Sequence, residues 1–144
     1  MPLLQLVYAS RPFGFDSAIL SNILLDARRC NLRDDITGAL IARHDLFLQL
    51  LEGPSDKVEA CYQRIARDDR HIEMTPLSRR RITSRLFPGW AMRDDPAQSW
   101  IWSIEAVANG AIERATEDEV LEFFTRLAAM NVVPATPEYP DTAE

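Results

Sequence analysis

Histidine, cysteine and lysine are scarce in this 144-residue chain, and each shortage removes a class of chemistry. The two histidines, His44 and His71, lie far apart, and no HExxH, GxSxG, P-loop or GxGxxG pattern occurs. The common signatures of metallohydrolases, serine hydrolases and nucleotide-phosphate binding are therefore missing. The two cysteines, Cys30 and Cys61, have neither metal-ligand nor redox-motif spacing, as expected of a chain in a reducing compartment. No apolar run approaches the roughly 20 residues that a bilayer span requires. The opening MPLLQLVYAS lacks a basic stretch and passes straight into a strand pattern, unlike a secretory signal. A cytoplasmic location is the expectation.

Basic charge is not in surplus either. The formal net charge is −6, and 15 of the 16 basic side chains are arginine. Residues 1–110 hold 14 acidic and 14 basic side chains, so the whole excess of acid falls in residues 111–144. That balance gives nucleic-acid binding no support. Arginine suits planar contacts with anions.

What is present is enough for one core: 47% apolar and 26% charged residues. LLQLVYA at 3–9 alternates as a strand, with Leu4, Leu6 and Tyr8 on one face. After the turn-like SRPFGF, Asp16 is placed to cap a helix whose stripe is Leu20, Ile23, Leu24 and Ala27. The same stripe puts Asn31 on the buried side, at or just past the helix end. ITGALIA and LFLQLLE, joined at His44-Asp45, form a hairpin that Gly53-Pro54 ends, with Pro54 suited to open the next helix. There Val58, Cys61, Tyr62 and Ile65 face inward. Residues 72–83 and 89–93 are predicted strands, the second with Trp90 and Met92 on one face.

The order β-α-β-β-α-β-β defines an α+β, ferredoxin-like sheet with two helices on one face. Two more helices are expected to cover the other face. Asp95-Pro96 can start the first and Asn109-Gly110 stop it. Thr116 with Glu119 makes a capping box for the second, whose stripe is Val120, Phe123, Phe124 and Leu127 and which ends near Asn131. The predicted division is 1–95 for the sheet domain, 96–132 for the helical extension and 133–144 for a flexible tail. His44 is a turn residue; Asp34-Asp35 and Asp94-Asp95 are expected as solvated loop carboxylates, and Arg79-Arg80-Arg81 as a solvated strand edge.

Gln49 stands out within LFLQLLEG, since an amide among Leu46, Phe47, Leu48, Leu50 and Leu51 needs partners. The topology sets the first and third strands side by side, so Tyr8 and Gln49 can meet while Asn31 approaches from the first helix. Geometry alone leaves two readings open. The pair either satisfies a core amide and does nothing more, or forms part of a site.

The residues of this constellation also carry a resemblance. VYAS at 7–10, NLRDDITGALI at 31–41, FLQLLEG at 47–53, YQRIARDDRH at 62–71 and FPGWAM at 87–92 resemble the BLUF domain, a blue-light sensor that uses FAD. The match runs over residues 3–93 in the family's order and spacing, and TEDEVLEFFTRLA is similar to the extension of short, single-domain photoreceptors. The resemblance implies non-covalent FAD, with the isoalloxazine ring between the two helices. Asn31 then bonds the ring's carbonyl and imide edge, Gln49 lies between Tyr8 and the ring, and Ile23 and Ile65 flank it. Arg64, Asp68, Arg70 and His71 follow the ribityl and phosphate side, and Trp90 and Met92 line the Gln49 pocket as signalling residues. Many members have serine where this chain has Ala27 and a polar or aromatic residue where it has Cys30.

The resemblance further implies a photoreceptor that is not an enzyme, signals to a separate downstream protein and forms homo-oligomers, with no nucleic acid or membrane partner. Two alternatives belong to other classes. A flavin-dependent redox enzyme would need a hydride donor and an open substrate site, for which the sequence has no candidate. A ferredoxin-like ligand-binding module without flavin would have no use for the Tyr8, Asn31 and Gln49 set.

Overall fold

The computed structural model describes residues 3–12, 17–67, 71–90, 92–96 and 100–130. In chain order these form β1 (Leu3–Pro12), α1 (Ser17–Asp34), β2 (Thr37–Arg43), β3 (Leu46–Pro54), α2 (Ser55–Ala66), β4 (His71–Ile82), β5 (Arg93–Pro96), α3 (Ile104–Ala108) and α4 (Glu117–Ala129). The strands make one sheet in the order β4-β1-β3-β2-β5. The first four are antiparallel to their neighbours, and β5 joins β2 in parallel. This is the ferredoxin-like α+β arrangement, with β1 and β3 at its centre.

Period-two alternation sorts the strand side chains into two cores. Leu4, Leu6, Tyr8, Leu40, Phe47 and Leu51 pack with Ile23 and Leu24 of α1 and Val58 and Cys61 of α2. Val7, Ala9, Ala39, Ile41, Leu46, Leu48 and Leu50 pack on the opposite face, against Val107 of α3 and residues of α4. The C-terminal helices thus cover the face that would otherwise expose apolar area.

Local chemistry explains several boundaries. Asp35 has φ 59°, the left-handed turn that closes α1 and that aspartate tolerates better than most residues. The hairpin turns at His44-Asp45 as expected. Pro76 sits in β4, an edge strand of the sheet, where a residue without an N–H is tolerated. Arg79, Arg80 and Arg81 are exposed there. Thr116 Oγ1 accepts from Glu119 N at 3.1 Å, and Glu117, Asp118 and Glu119 place negative charge at the helix start. Val120, Phe123, Phe124 and Leu127 are buried, each side chain contributing about 1.5–3 kcal/mol.

Five expectations are corrected. β1 does not turn at Ser10 but continues to Pro12, because Arg11 and Pro12 still pair with Ile72 and His71 of β4. Asn31 lies inside α1 rather than at its end, since the helix runs to Asp34. Asp34 is accordingly no loop carboxylate; Arg33 grips it through two bonds of 2.9 Å and holds its pKa below the ordinary value. The last strand spans 93–96 rather than 89–93, because Trp90 N bonds Phe87 O at 3.3 Å and closes a turn there. Asp95-Pro96 consequently end this strand rather than cap α3; Ser103 caps α3, its Oγ accepting from Ala106 N at 3.0 Å. Pro54 stands at the cap position of α2, one residue before the helix proper. Asp16, Asn131 and the tail lie outside the described residues.

Candidate functional site

Tyr8 and Gln49 are direct partners in the β1–β3 register, so both side chains rise from the same face at the sheet centre. The Tyr8 hydroxyl donates to Gln49 Oε1. The other end of the amide, Nε2, donates to Met92 Sδ at 3.6 Å. One buried carboxamide therefore links a phenol on one strand to a thioether in the segment leading into β5. Tyr8 is fully buried, and its ring meets Tyr62 of α2 edge-on at 5.2 Å.

A cavity of about 270 Å³ opens beside Gln49, between α1 and α2. Ile23, Leu51 and Ile65 give it apolar walls, Asn31 and Gln49 give it carboxamides, and Arg29 and Arg64 bring positive charge. Tyr8 reaches it through Gln49. Asn31 is 1% exposed, placed inward by the helical repeat from Ile23 and Ala27. Its backbone oxygen accepts from Ile36 N at 2.9 Å, and its Oδ1 accepts from the Cys61 thiol at 3.9 Å. Burial pushes the Cys61 thiol up to about 11, so it stays protonated and able to donate. Arg64 lies 3.8 Å from Asp34, and Arg29 pairs with Asp26 at 3.0 Å.

The structure brings Ile23, Asn31, Gln49, Arg64 and Ile65 to one cavity. Asp68 and Arg70 lie outside the described residues, and only the backbone of His71 is described, in β4. Met92 meets Gln49, but Trp90 packs with the opposite core, beside residues of the α3–α4 side. Two residues share a strand face only while the backbone is extended, and the turn at Phe87–Trp90 breaks that relation. Leu51, Cys61, Asp26 and Arg29 also line the cavity without having been singled out. Leu51 was legible as the same-face neighbour of Gln49. Arg29 was not, because nothing in the pair Arg28-Arg29 on α1 tells which one turns toward a ligand.

A flat ring with alternating donor and acceptor atoms on one edge suits this site. A carboxamide supplies both an acceptor and donors, so Asn31 and Gln49 can match either kind of edge atom. Isoleucines on opposing helices can cover two apolar faces, while guanidinium groups suit phosphate. The volume is slightly under the range of about 300–1,000 Å³ usual for ligand pockets, so it suits a ring system with the remainder of a larger cofactor lying outside. Fold and site together define a ferredoxin-like domain with a cavity suited to a flat aromatic cofactor, and the residues fit FAD.

Comparison with known proteins agrees. The model of the family described as BLUF, sensors of blue-light using FAD, matches residues 3–93. The chain is 39% identical over 74 residues to photoactivated adenylate cyclase subunit beta of Euglena gracilis, covering 51% of this chain and 9% of that one. It is 41% identical over 51 residues to the blue light- and temperature-regulated antirepressor BluF of Escherichia coli, covering 35% and 13%. The chain thus spans a small part of those relatives' lengths. The dark-state structure of the BLUF protein BlrB superposes with a TM-score of 0.74 at 30% identity, covering 89% of this chain and 96% of that one. The chain belongs to the BLUF family, the blue-light sensors that use FAD. Among the described residues no helix is long and apolar enough to cross a membrane.

Proposed function

We propose that this chain is a cytoplasmic, non-enzymatic blue-light photoreceptor in which Tyr8 and Gln49 convert absorption into a rearranged hydrogen-bond network. The observation that carries the reading is the Tyr8–Gln49–Met92 chain, with the Gln49 amide in the wall of the cavity. Asn31 and Gln49 would hold the polar edge of the isoalloxazine, Ile23 and Ile65 would cover its faces, and Arg64 with Asp68, Arg70 and His71 would serve the ribityl–phosphate side.

When bound, FAD supplies blue absorption and an excited state that accepts an electron. With the cofactor bound, Tyr8 would be the electron donor, and its hydroxyl proton would move along the existing bond toward Gln49 Oε1. Gln49 is left rotated, or as a tautomer, once electron and proton have returned to Tyr8. Rotation exchanges Oε1 and Nε2, so Tyr8 faces a donor and Met92 faces a carbonyl. From the cavity wall the rotated amide would offer a changed hydrogen bond to a bound flavin, and a lower excitation energy would appear as a red shift. Glutamate, ionised, has acceptors only and cannot make this exchange.

Met92 carries the change toward β5 and from there to the C-terminal helices. Biasing a two-state element takes a few kcal/mol, comparable to a few hydrogen bonds. Residues 1–95 form the sensing unit and 96–132 the output extension. The exposed acidic first turn of α4 offers a surface for self-association and for a separate downstream protein.

The test is the absorption spectrum of the purified protein before and after blue light. A yellow protein whose bands move reversibly to the red is expected. Bleaching to reduced flavin under a reductant would instead identify a redox enzyme, and a protein unable to take up flavin would sink the proposal.

A further inference from the structure

Met92 is held from two sides. Its sulfur accepts from Gln49 Nε2 at 3.6 Å, and its backbone carbonyl accepts from Arg28 Nε of α1 at 3.0 Å. The segment before it is tied down as well. Arg85 reaches Thr37 Oγ1 at 3.0 Å and the Asp35 carbonyl at 2.9 Å, Glu52 takes the Leu86 and Phe87 amides at 2.9–3.0 Å, and Gly38 N donates to Trp90 O at 3.0 Å. Of these ties, the one to Arg28 holds the residue that touches the switching amide. It comes from α1, the helix that carries Ile23 and Asn31 into the cavity.

We infer that Arg28 is a positioning residue that fixes Met92 against Gln49 and thereby sets how long the light-induced state lasts. The inference rests on the photoreceptor reading given above. With Gln49 in its present orientation an N–H points at the sulfur, and the two holds on Met92 agree. After rotation a carbonyl oxygen faces the sulfur, and neither atom has a proton to share. Arg28 keeps Met92 in that unfavourable contact, which raises the energy of the rotated state and drives its return. Without Arg28, Met92 can withdraw and the rotated state relaxes. Arginine's hold is charge-assisted, the stronger class of hydrogen bond.

Nothing in this requires Arg28 to touch the cofactor. Arg28→Ala should bind FAD and red-shift as the unaltered protein does. Its dark recovery should be slower by on the order of tenfold, the factor a hydrogen bond to a charged group represents. Arg28→Lys, which can still donate to the carbonyl, should restore most of the rate. A second measurement needs no flavin: hydrogen exchange in the peptide spanning residues 90–96 of the apoprotein should quicken in Arg28→Ala and much less in Arg28→Lys.

A normal red shift with unchanged recovery and unchanged exchange in Arg28→Ala would overturn the inference alone. So would an equal effect in Arg28→Lys, because charge-assisted donation would then be irrelevant. Absence of any red shift in the unaltered protein would remove the photoreceptor reading and this inference together.

Discussion

Tyr8 and Gln49 stand opposite each other across β1 and β3, hydroxyl to carboxamide, with both side chains buried. Tyr8→Phe keeps the ring and its edge contact with Tyr62 while deleting the only proton the phenol can transfer. Gln49→Leu keeps the volume and removes both ends of the amide. Each variant should take up flavin and lose the light-induced red shift entirely, with a stability change of about 1 kcal/mol for Tyr8→Phe. Light-minus-dark difference spectra check this; a normal shift in either variant would refute the mechanism.

Asn31 tests how the cofactor is gripped. It is buried in α1 with its side chain in the cavity wall. Asn31→Ala keeps the helix, since alanine is the best helix former. It should weaken FAD binding by roughly 1–2 kcal/mol, about 5- to 30-fold, while the fold stays intact. Titration by quenching of flavin fluorescence measures it. Unchanged affinity would mean that the amide serves only α1 and the Cys61 contact.

How much of this was legible follows from the range of each cause. Period-two alternation placed Tyr8 and Gln49 on one face, and helical spacing placed Asn31 inward, because these patterns are local. The Thr116 cap was readable for the same reason. Trp90 and Met92 were assigned to one face because i and i+2 share a face in a strand. The turn closed by Trp90 N on Phe87 O lies upstream of β5 and denied them that strand. Arg28 and Glu52 could not be found at all. Apart from Gln5, which faces Glu52 across β1 and β3, the partners named for them are backbone atoms of the segment 86–92, whose approach depends on the tertiary fold and leaves no spacing signal.

Cys61 makes the protein sensitive to alkali. Its thiol is 3% exposed, donates to Asn31 Oδ1, and is pushed up by burial from 9.0 to about 11. A raised folded-state value means that the unfolded chain loses its proton first. Stability from this group is therefore full below pH 9 and falls as pH rises toward 11. Tyr62, also raised by burial, adds in the same direction. Urea unfolding at a series of pH values should show the decline, and Cys61→Ser should flatten part of it. An identical pH profile in that variant would show that the thiol is not the group responsible.

Glu52 makes a separate claim on stability. It is fully buried on the α3–α4 side of the sheet, yet its carboxylate accepts from Gln5 Nε2 at 2.9 Å and from the Leu86 and Phe87 amides. Phe87, held in this way, packs edge-on against Phe124 of α4 at 6.3 Å. Glu52→Ala strands three donors where water cannot replace the acceptor, so a loss of at least about 3 kcal/mol is expected. Glu52→Gln retains one acceptor oxygen, and the Gln5 amide can turn its own oxygen toward the new NH₂; the loss should be nearer 1–2 kcal/mol. Urea midpoints of the two variants give the order directly. Were Glu52→Ala as stable as Glu52→Gln, the carboxylate would not be what fastens the 86–87 segment, and the packing of Phe87 on Phe124 with the ties of Arg85 and Gly38 would have to hold it.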